Sequence, residues 1–431
     1  MNRMDLTVNS GQLQRELEQL ATYSEAAPPA VTRVVFSEQD LAARSFLKGL
    51  FADAGLVIRE DAVGNTFARW AGADDALPAV GTGSHADAIP NAGMYDGTVG
   101  VLGGLEAIRA LQRSGFCPMR SIDLLLFTSE EPTRFGIGCL GSRLLSGTLS
   151  AAAARVLKDS EGRTLDEVRT AAGFGGALED VALASGSYSH FVELHIEQGV
   201  VLEREGTSIG IVESIAAPAS LRIVVEGEGG HAGSVLMPAR KDALAGAAEI
   251  ILAVESQARA ILRSTGAMDS VATVGICEVF PGAVNSIPNR VTLALDVRDS
   301  NLERRDRLLR NILDACRSIV GARRLTFKHE VLNADAPAQC SVAITKQIAA
   351  ACDTHGISHR AMVSRAYHDS LFISRIAEVA MIFIPCRDGV SHRPDEYAAP
   401  EDIAKGVLVL AETLASLAGA ANSSAAETSD E

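Results

Sequence analysis

The sequence predicts an α/β chain: a mixed-sheet domain interrupted by a ferredoxin-like β-α-β-β-α-β unit. Three observations predict it. Apolar runs of strand length, such as 121–127 and 379–385, alternate with longer amphipathic stretches. Near residue 214 this alternation gives way to strand, long helix, two strands, long helix and strand, the order of a split βαβ unit. The chain, at 431 residues, also exceeds one ordinary core. The expected boundaries are 1–213 and 331–418 for the two parts of the outer domain and 214–330 for the insert. The Ala-, Ser- and acid-rich tail, 419–431, is expected to be disordered.

In chain order, residues 11–24 form an amphipathic helix with Leu13, Leu17 and Leu20 on one side. Ser37, ahead of Glu38 and Asp40, reads as the N-cap and acidic first turn of a helix that Gly55 ends. Strands follow at 57–59 and 65–70. Residues 77–80 read as a strand arriving at a turn, Gly83-Ser84-His85-Ala86-Asp87, with a helix over 97–111. The strand at 121–128 is nearly all apolar, as suits a strand covered on both faces. It delivers Ser129-Glu130-Glu131-Pro132. A helical region covers 140–175, and a strand from Phe191 reaches a polar turn at Gln198-Gly199. The insert places strands at 221–225, 270–280, 290–297 and 324–331, with helices at 239–262 and 301–320. A helix at 342–355, a short helix at 371–376, a buried strand at 380–384 and a helix at 402–417 complete the chain.

Composition narrows the function. A hydrophobic share of 47% with 22% charged residues suits a soluble globular enzyme. A net charge of −15 argues against nucleic-acid or anionic-membrane partners, which require a basic face. No apolar run reaches membrane-span length, and residues 1–19 carry charges without an apolar core of a signal peptide. Seven cysteines with no Cys-x-x-Cys fit buried thiols in a reducing compartment, so the expected location is cytoplasmic.

Five side chains stand at expected strand ends: His85, Asp96, Glu131, His195 and His392. Imidazole with carboxylate suits Zn, Mn, Fe or Ni rather than Ca or Mg. Two ions about 3.5–4 Å apart need a bridging carboxylate, and Asp96 beside a helix N-terminus can serve. Asp87, two residues from His85, is placed to accept that ring's other N–H. Consecutive side chains diverge at a strand exit, so Glu131 can bind metal while Glu130 faces a substrate as general base. His190, His329, His355 and His359 read as solvated surface groups.

With these residues, the chain resembles the metal-dependent amidohydrolases of the aminoacylase and carboxypeptidase G superfamily, over about residues 10–417. Within it, the ureide and carbamoyl branch is the more similar part. The resemblance rests on Gly83-Ser84-His85-x-Asp87, Tyr95-Asp96-Gly97, Thr128-Ser129-Glu130-Glu131 and His195-Ile196-Glu197-Gln198-Gly199. It extends to Gly230-His231-Ala232-Gly233, Asn285-Ser286-Ile287-Pro288, Asp296-Val297-Arg298-Asp299 and Ser391-His392. It implies His85 and His195 on one divalent ion, Glu131 and His392 on a second, Asp96 between them and Glu130 as catalytic base. Mn2+ is implied ahead of Zn2+, Ni2+ or Co2+. The insert would be a lid and dimerisation domain of a homodimer, in which His231 serves the other subunit's site and stabilises the oxyanion. Gln198, Asn285, Arg298, Tyr367 and His368 would contact the substrate. For Arg298 the competing reading is a structural salt bridge with Asp296 or Asp299.

The stretch Ser364-Arg365-Ala366-Tyr367-His368-Asp369-Ser370 bears on the substrate. Allantoate amidohydrolases and carbamoylases usually have Ser-Gly-Ala-Gly-His-Asp-Ala there. Tyr in place of Gly removes pocket volume and adds a hydroxyl donor, which suits a small substrate with an extra polar group. This stretch and Ile382-Phe383-Ile384-Pro385-Cys386 look like the ureidoglycolate-cleaving members of the branch. The implied substrate is a small ureide, (S)-ureidoglycolate, with N-carbamoyl-L-amino acids or allantoate as alternatives. A peptidase is disfavoured because His195 stands where peptidases commonly carry Asp or Glu. An inactive scaffold is disfavoured because all five ligands and Glu130 are present.

Overall fold

The computed structural model describes residues 5–421. They fall into two compact units: one reaches Glu213 and resumes over Gln339–Met362 and from His368, and the other is Ser214–Ala338 with Val363–Tyr367. The second unit therefore ends later than 330 and takes back five residues from the stretch assigned to the outer domain. The strand Thr326–Ala334 continues past Val331, and the Ser364 carbonyl accepts the Ala216 N–H at 2.8 Å.

In the first unit, four adjacent strands run parallel: Ile122–Phe127, Ala79–His85, Tyr188–Ile196 and Glu378–Ile384. Antiparallel neighbours flank them, Thr66–Trp70 and Val57–Glu60 on one side and Ile209–Ile215 on the other. The sheet is mixed, as expected. The helices Thr98–Arg113 and Pro400–Ala418 pack together on one face. On the other, Leu125, Phe127 and Phe191 form a core with Leu140, Leu144 and Ile373. Each such fully buried side chain contributes about 1.5–3 kcal/mol.

Several local expectations change. Residues 83–85 lie on the strand Ala79–His85 rather than in a turn. Gly83 and Ser84 resemble turn composition, yet residues 83–85 pair in register with Leu125, Leu126 and Phe127. The region 140–175 is three short helices, Leu140–Leu145, Ala151–Arg155 and Leu165–Ala171. Strands Val31–Arg33 and Ala88–Ala92 pair with each other and carry no alternation long enough to read. Ser37 caps its helix as expected, accepting the Asp40 N–H at 3.2 Å. Gly419–Ala421 are ordered: the Gly419 carbonyl accepts the Met119 N–H at 2.7 Å and the Ala421 N–H reaches Cys117 O at 2.9 Å. The rest of the expected disordered tail, 422–431, lies outside the described residues.

The second unit carries a four-stranded antiparallel sheet in the order Val271–Phe280, Arg290–Asp299, Ala217–Glu226, Thr326–Ala334. By sequence that order is 2-3-1-4, the ferredoxin-like arrangement. Alternate residues Leu221, Ile223, Val225, Leu293, Leu295 and Val297 face the helices Ala243–Thr265 and Leu302–Ala322. Among the described residues no helix is long and apolar enough to cross a membrane.

Candidate metal centre

The four parallel strands end at one edge of the sheet, where open α/β proteins bind ligands. His85 closes Ala79–His85, and His195 is the penultimate residue of Tyr188–Ile196. Glu130 and Glu131 follow Ile122–Phe127, and His392 lies on the loop after Glu378–Ile384. Asp96 arrives on a turn ending at Gly97, the N-cap of Thr98–Arg113. Gly97 has φ +66°, and a Cβ there would lie 2.4 Å from His85 Nε2, so glycine alone admits the ring.

The two oxygens of Asp96 face different partners. Oδ1 lies 3.1 Å from His195 Nε2 and 3.6 Å from His85 Nε2. Oδ2 lies 3.2 Å from His392 Nε2, which is also 3.2 Å from Glu131 Oε1. His85, Asp96 and His195 thus form one group with ligand geometry, and Asp96, Glu131 and His392 a second. A third buried group, Glu193, His195 and His368, shares His195. Its Glu193 is already bonded by the Ser84 hydroxyl at 2.8 Å and the Ser370 hydroxyl at 2.6 Å.

The ring orientations test whether cations fit. His85 Nδ1 lies 3.0 Å from the Asp87 carbonyl, and His195 Nδ1 lies 2.9 Å from the Ile196 carbonyl. A carbonyl only accepts, so the ring hydrogens sit on Nδ1 and each Nε2 presents a lone pair to Asp96. A lone pair facing a carboxylate oxygen is repulsive unless a proton or metal ion lies between them. The charge balance agrees. Burial opposes a charged His85, yet Asp96, Glu130 and Asp87 outweigh it and raise its proton affinity well above the usual histidine value. Asp96 and Glu131 push His392 up to about 11. Burial would raise Asp96, but His195, His392 and His85 hold it well below the carboxylate range. The donor set fits two divalent ions.

Asp87 does something other than expected. The His85 N–H goes to its backbone carbonyl, while its carboxylate stands 3.7 Å from that nitrogen. The carboxylate instead accepts the backbone N–H groups of Glu130 at 3.1 Å and Glu131 at 3.0 Å, holding the turn that presents both. Burial pushes Glu130 well above the usual carboxylate range, with His85 opposing and Glu131 adding to the rise. Glu130 Oε2 lies 3.8 Å from His85 Nε2, and Oε1 accepts the Cys139 thiol at 3.3 Å. A carboxylate beside the ion-facing imidazole, with high proton affinity, suits a general base.

Gln198 donates its amide to Asp96 Oδ2 at 2.8 Å, and its buried Oε1 has no partner among the described residues. His368 is buried edge-on to His195, with ring centres 4.5 Å apart. Burial, then the neighbouring His195, hold it well below the ordinary histidine value.

The other expected substrate residues lie in the second unit. His231 and Ser286 are direct partners in a two-residue ladder, which brings His231 beside Asn285. Both are exposed, and His231 Nδ1 accepts the Gly233 N–H at 3.0 Å. Arg298 makes the salt bridge weighed against it, with Nε 2.9 Å from Asp296 Oδ1, and Nη1 donates to the Arg365 carbonyl at 3.2 Å. The Tyr367 hydroxyl is not a spare donor: it donates to Asp335 Oδ2 at 2.7 Å and also meets Asn333 Nδ2.

Sequence reasoning missed Glu193, Glu396 and Cys139. Glu193 had a signal, since a carboxylate two residues before His195 on an apolar strand shares its face. Glu396 and Cys139 had none, because their partners are set by tertiary folding.

Paired imidazole–carboxylate groups joined by one aspartate, at the carboxyl ends of parallel strands, suit a metal-dependent hydrolase, and the relatives of this chain make it a metal-dependent amidohydrolase. The chain belongs to peptidase family M20/M25/M40, whose sequence profile matches residues 75–416. It is 50% identical to ureidoglycolate hydrolase of Arabidopsis thaliana, over 96% of this chain and 87% of that protein. The crystal structures of AtUAH in complex with glyoxylate and with (S)-hydroxyglycine superpose with a TM-score of 0.84. They are 49% and 48% identical and cover 96% of this chain and 98% of theirs.

Proposed function

We propose that this chain hydrolyses (S)-ureidoglycolate to glyoxylate, two ammonia and carbon dioxide. The observation that carries the chemistry is Asp96 dividing its two oxygens between two imidazole groups, with Glu130 alongside. The substrate follows from the likeness to the Arabidopsis enzyme and to the glyoxylate and (S)-hydroxyglycine complexes.

His85, His195 and Asp96 would hold one ion, and Asp96, Glu131 and His392 the other. When bound, Mn2+ ions supply a water acidic enough to lose a proton near neutral pH and polarise the ureido carbonyl. Glu130 takes the proton of the attacking water and returns it to the terminal nitrogen, whose bond to carbon then breaks. The resulting carbamate loses carbon dioxide, and the hydroxyglycine left behind sheds its amine as ammonia to give glyoxylate. Arg298, turned from Asp296, offers a two-donor fork to the substrate carboxylate, with Asn285 beside it. Gln198 and His368 line the reacting end, and Tyr367, held by Asp335, limits its volume. The second unit pairs two copies of a cytoplasmic enzyme, and His231 stabilises the oxyanion in the other subunit's site.

The test is product analysis with the Mn2+-loaded protein. Glyoxylate from (S)-ureidoglycolate, with slow turnover of N-carbamoyl-L-amino acids and allantoate, is expected. No glyoxylate, with fast turnover of a carbamoyl amino acid, contradicts the proposal.

A further inference from the structure

One buried carboxylate outside the ligand set touches two of the turns that carry ligands. Glu396 lies against Gly93, where an added Cβ would come within 2.3 Å of the Glu396 Cβ and 2.5 Å of its Oε1. The glycine leaves the space that this side chain fills. Oε1 accepts the backbone N–H groups of Tyr95 at 2.8 Å and Asp96 at 3.0 Å. Oε2 lies 2.9 Å from the Ser391 hydroxyl, which is also 2.8 Å from Asp96 Oδ2. A single hydroxyl proton, on the residue before His392, therefore stands between the two carboxylates.

His392 itself holds φ +59°, a left-handed conformation that persists away from glycine where its surroundings impose it. The Glu396 N–H closes this turn onto the Arg393 carbonyl at 3.1 Å. The two histidines that share Asp96 Oδ1 are anchored separately. His85 and His195 sit on paired strands, and carbonyls of Asp87 and Ile196 orient their rings.

We infer that Glu396 is a positioning residue that ties the Asp96 turn to the His392 turn and so maintains the half-site of Asp96 Oδ2, Glu131 and His392. This rests on the ligand assignment proposed above. Glu396 belongs to neither ligand group; it acts through Ser391 and the Asp96 backbone, as outer partners of metal ligands do. Its own burial is tolerated because both oxygens are hydrogen-bonded.

The test is calorimetric titration of the chelator-treated full chain with Mn2+. The step lost in His392→Ala identifies the half-site in question. The wild type is expected to bind two ions. Glu396→Ala should weaken the His392-dependent step by about 10–100-fold and the other by less than about threefold. Glu396→Gln keeps an oxygen for the two N–H groups and should restore most of that loss. Ser391→Ala removes one half-buried hydroxyl and should weaken the same step by a smaller factor. If Glu396→Ala does not fold, Ser391→Ala decides: selective weakening supports the inference and unchanged binding overturns it. Equal weakening of both steps, or no weakening, in Glu396→Ala also overturns it. A wild type binding fewer than two ions overturns the ligand assignment and this inference together.

Discussion

The carboxylate–imidazole groups of the first unit and the candidate substrate residues of the second are built in opposite ways. His85, His195, Asp96 and Glu131 are buried, and backbone groups of Asp87, Ile196, Glu130 and Glu131 take part in the bonds that aim them. His231 and Asn285 are exposed, and Arg298 and Tyr367 are bonded to neighbours in their own unit. Reacting groups gain from fixed placement in a dry site, because reorganisation at the moment of reaction is costly. Recognition groups can exchange partners when a ligand arrives, and a salt bridge such as Arg298–Asp296 costs little to open at a half-exposed position.

Experiments on each set of residues test that contrast. Removing the ions with a chelator should abolish turnover, and adding Mn2+ should restore it. Acid should act in the same direction. The His392 ring, raised to about 11, must give up its proton to bind metal, so protons and ions compete. For each proton released, affinity should fall about tenfold per pH unit as pH drops, readable by titration between pH 8 and about 6. An affinity that is flat or rises toward acid would contradict this. Glu130→Gln should lower kcat by about 10²–10⁴-fold with two ions still bound, since only the proton acceptor is lost. Arg298→Ala should raise KM about 10–100-fold, the worth of a hydrogen bond to a charged group, with a smaller change in kcat. An unchanged KM would make Arg298 a structural partner of Asp296 and dissolve the contrast. Tyr367→Gly should gain turnover of bulkier carbamoyl compounds relative to ureidoglycolate, and an unaltered ratio removes Tyr367 from selectivity. The smallest effect is expected at Cys139. Cys139→Ala should lower kcat by about two- to tenfold through loss of one weak hydrogen bond to Glu130, and Cys139→Ser should recover it.

The same division marks what could be read from the chain. Apolar runs locate three of the four parallel strands and the start of the fourth, and polar residues beyond them point to His85, Glu130, Glu131 and His195. The Ser37 cap was legible because capping is local. What escaped was non-local or disguised. Glu396 sits about three hundred residues from the Asp96 turn it holds, in a loop whose composition reads as surface. The strand 79–85 hid behind glycine and serine. Sequence proximity assigns the Asp87 carboxylate to the nearest histidine, whereas the fold directs it to the backbone of Glu130 and Glu131. Residues 363–367 join the second unit through Ser364, Tyr367 and the Arg365 carbonyl, none of which a strand-and-helix pattern reveals.

Anomalous diffraction from crystals grown with Mn2+ would locate the ions that Asp96 is proposed to share. Two peaks about 3.5–4 Å apart are expected, one between Asp96 Oδ1 and the His85 and His195 rings, the other between Asp96 Oδ2, Glu131 and His392. A single peak, or peaks away from Asp96, would contradict that sharing.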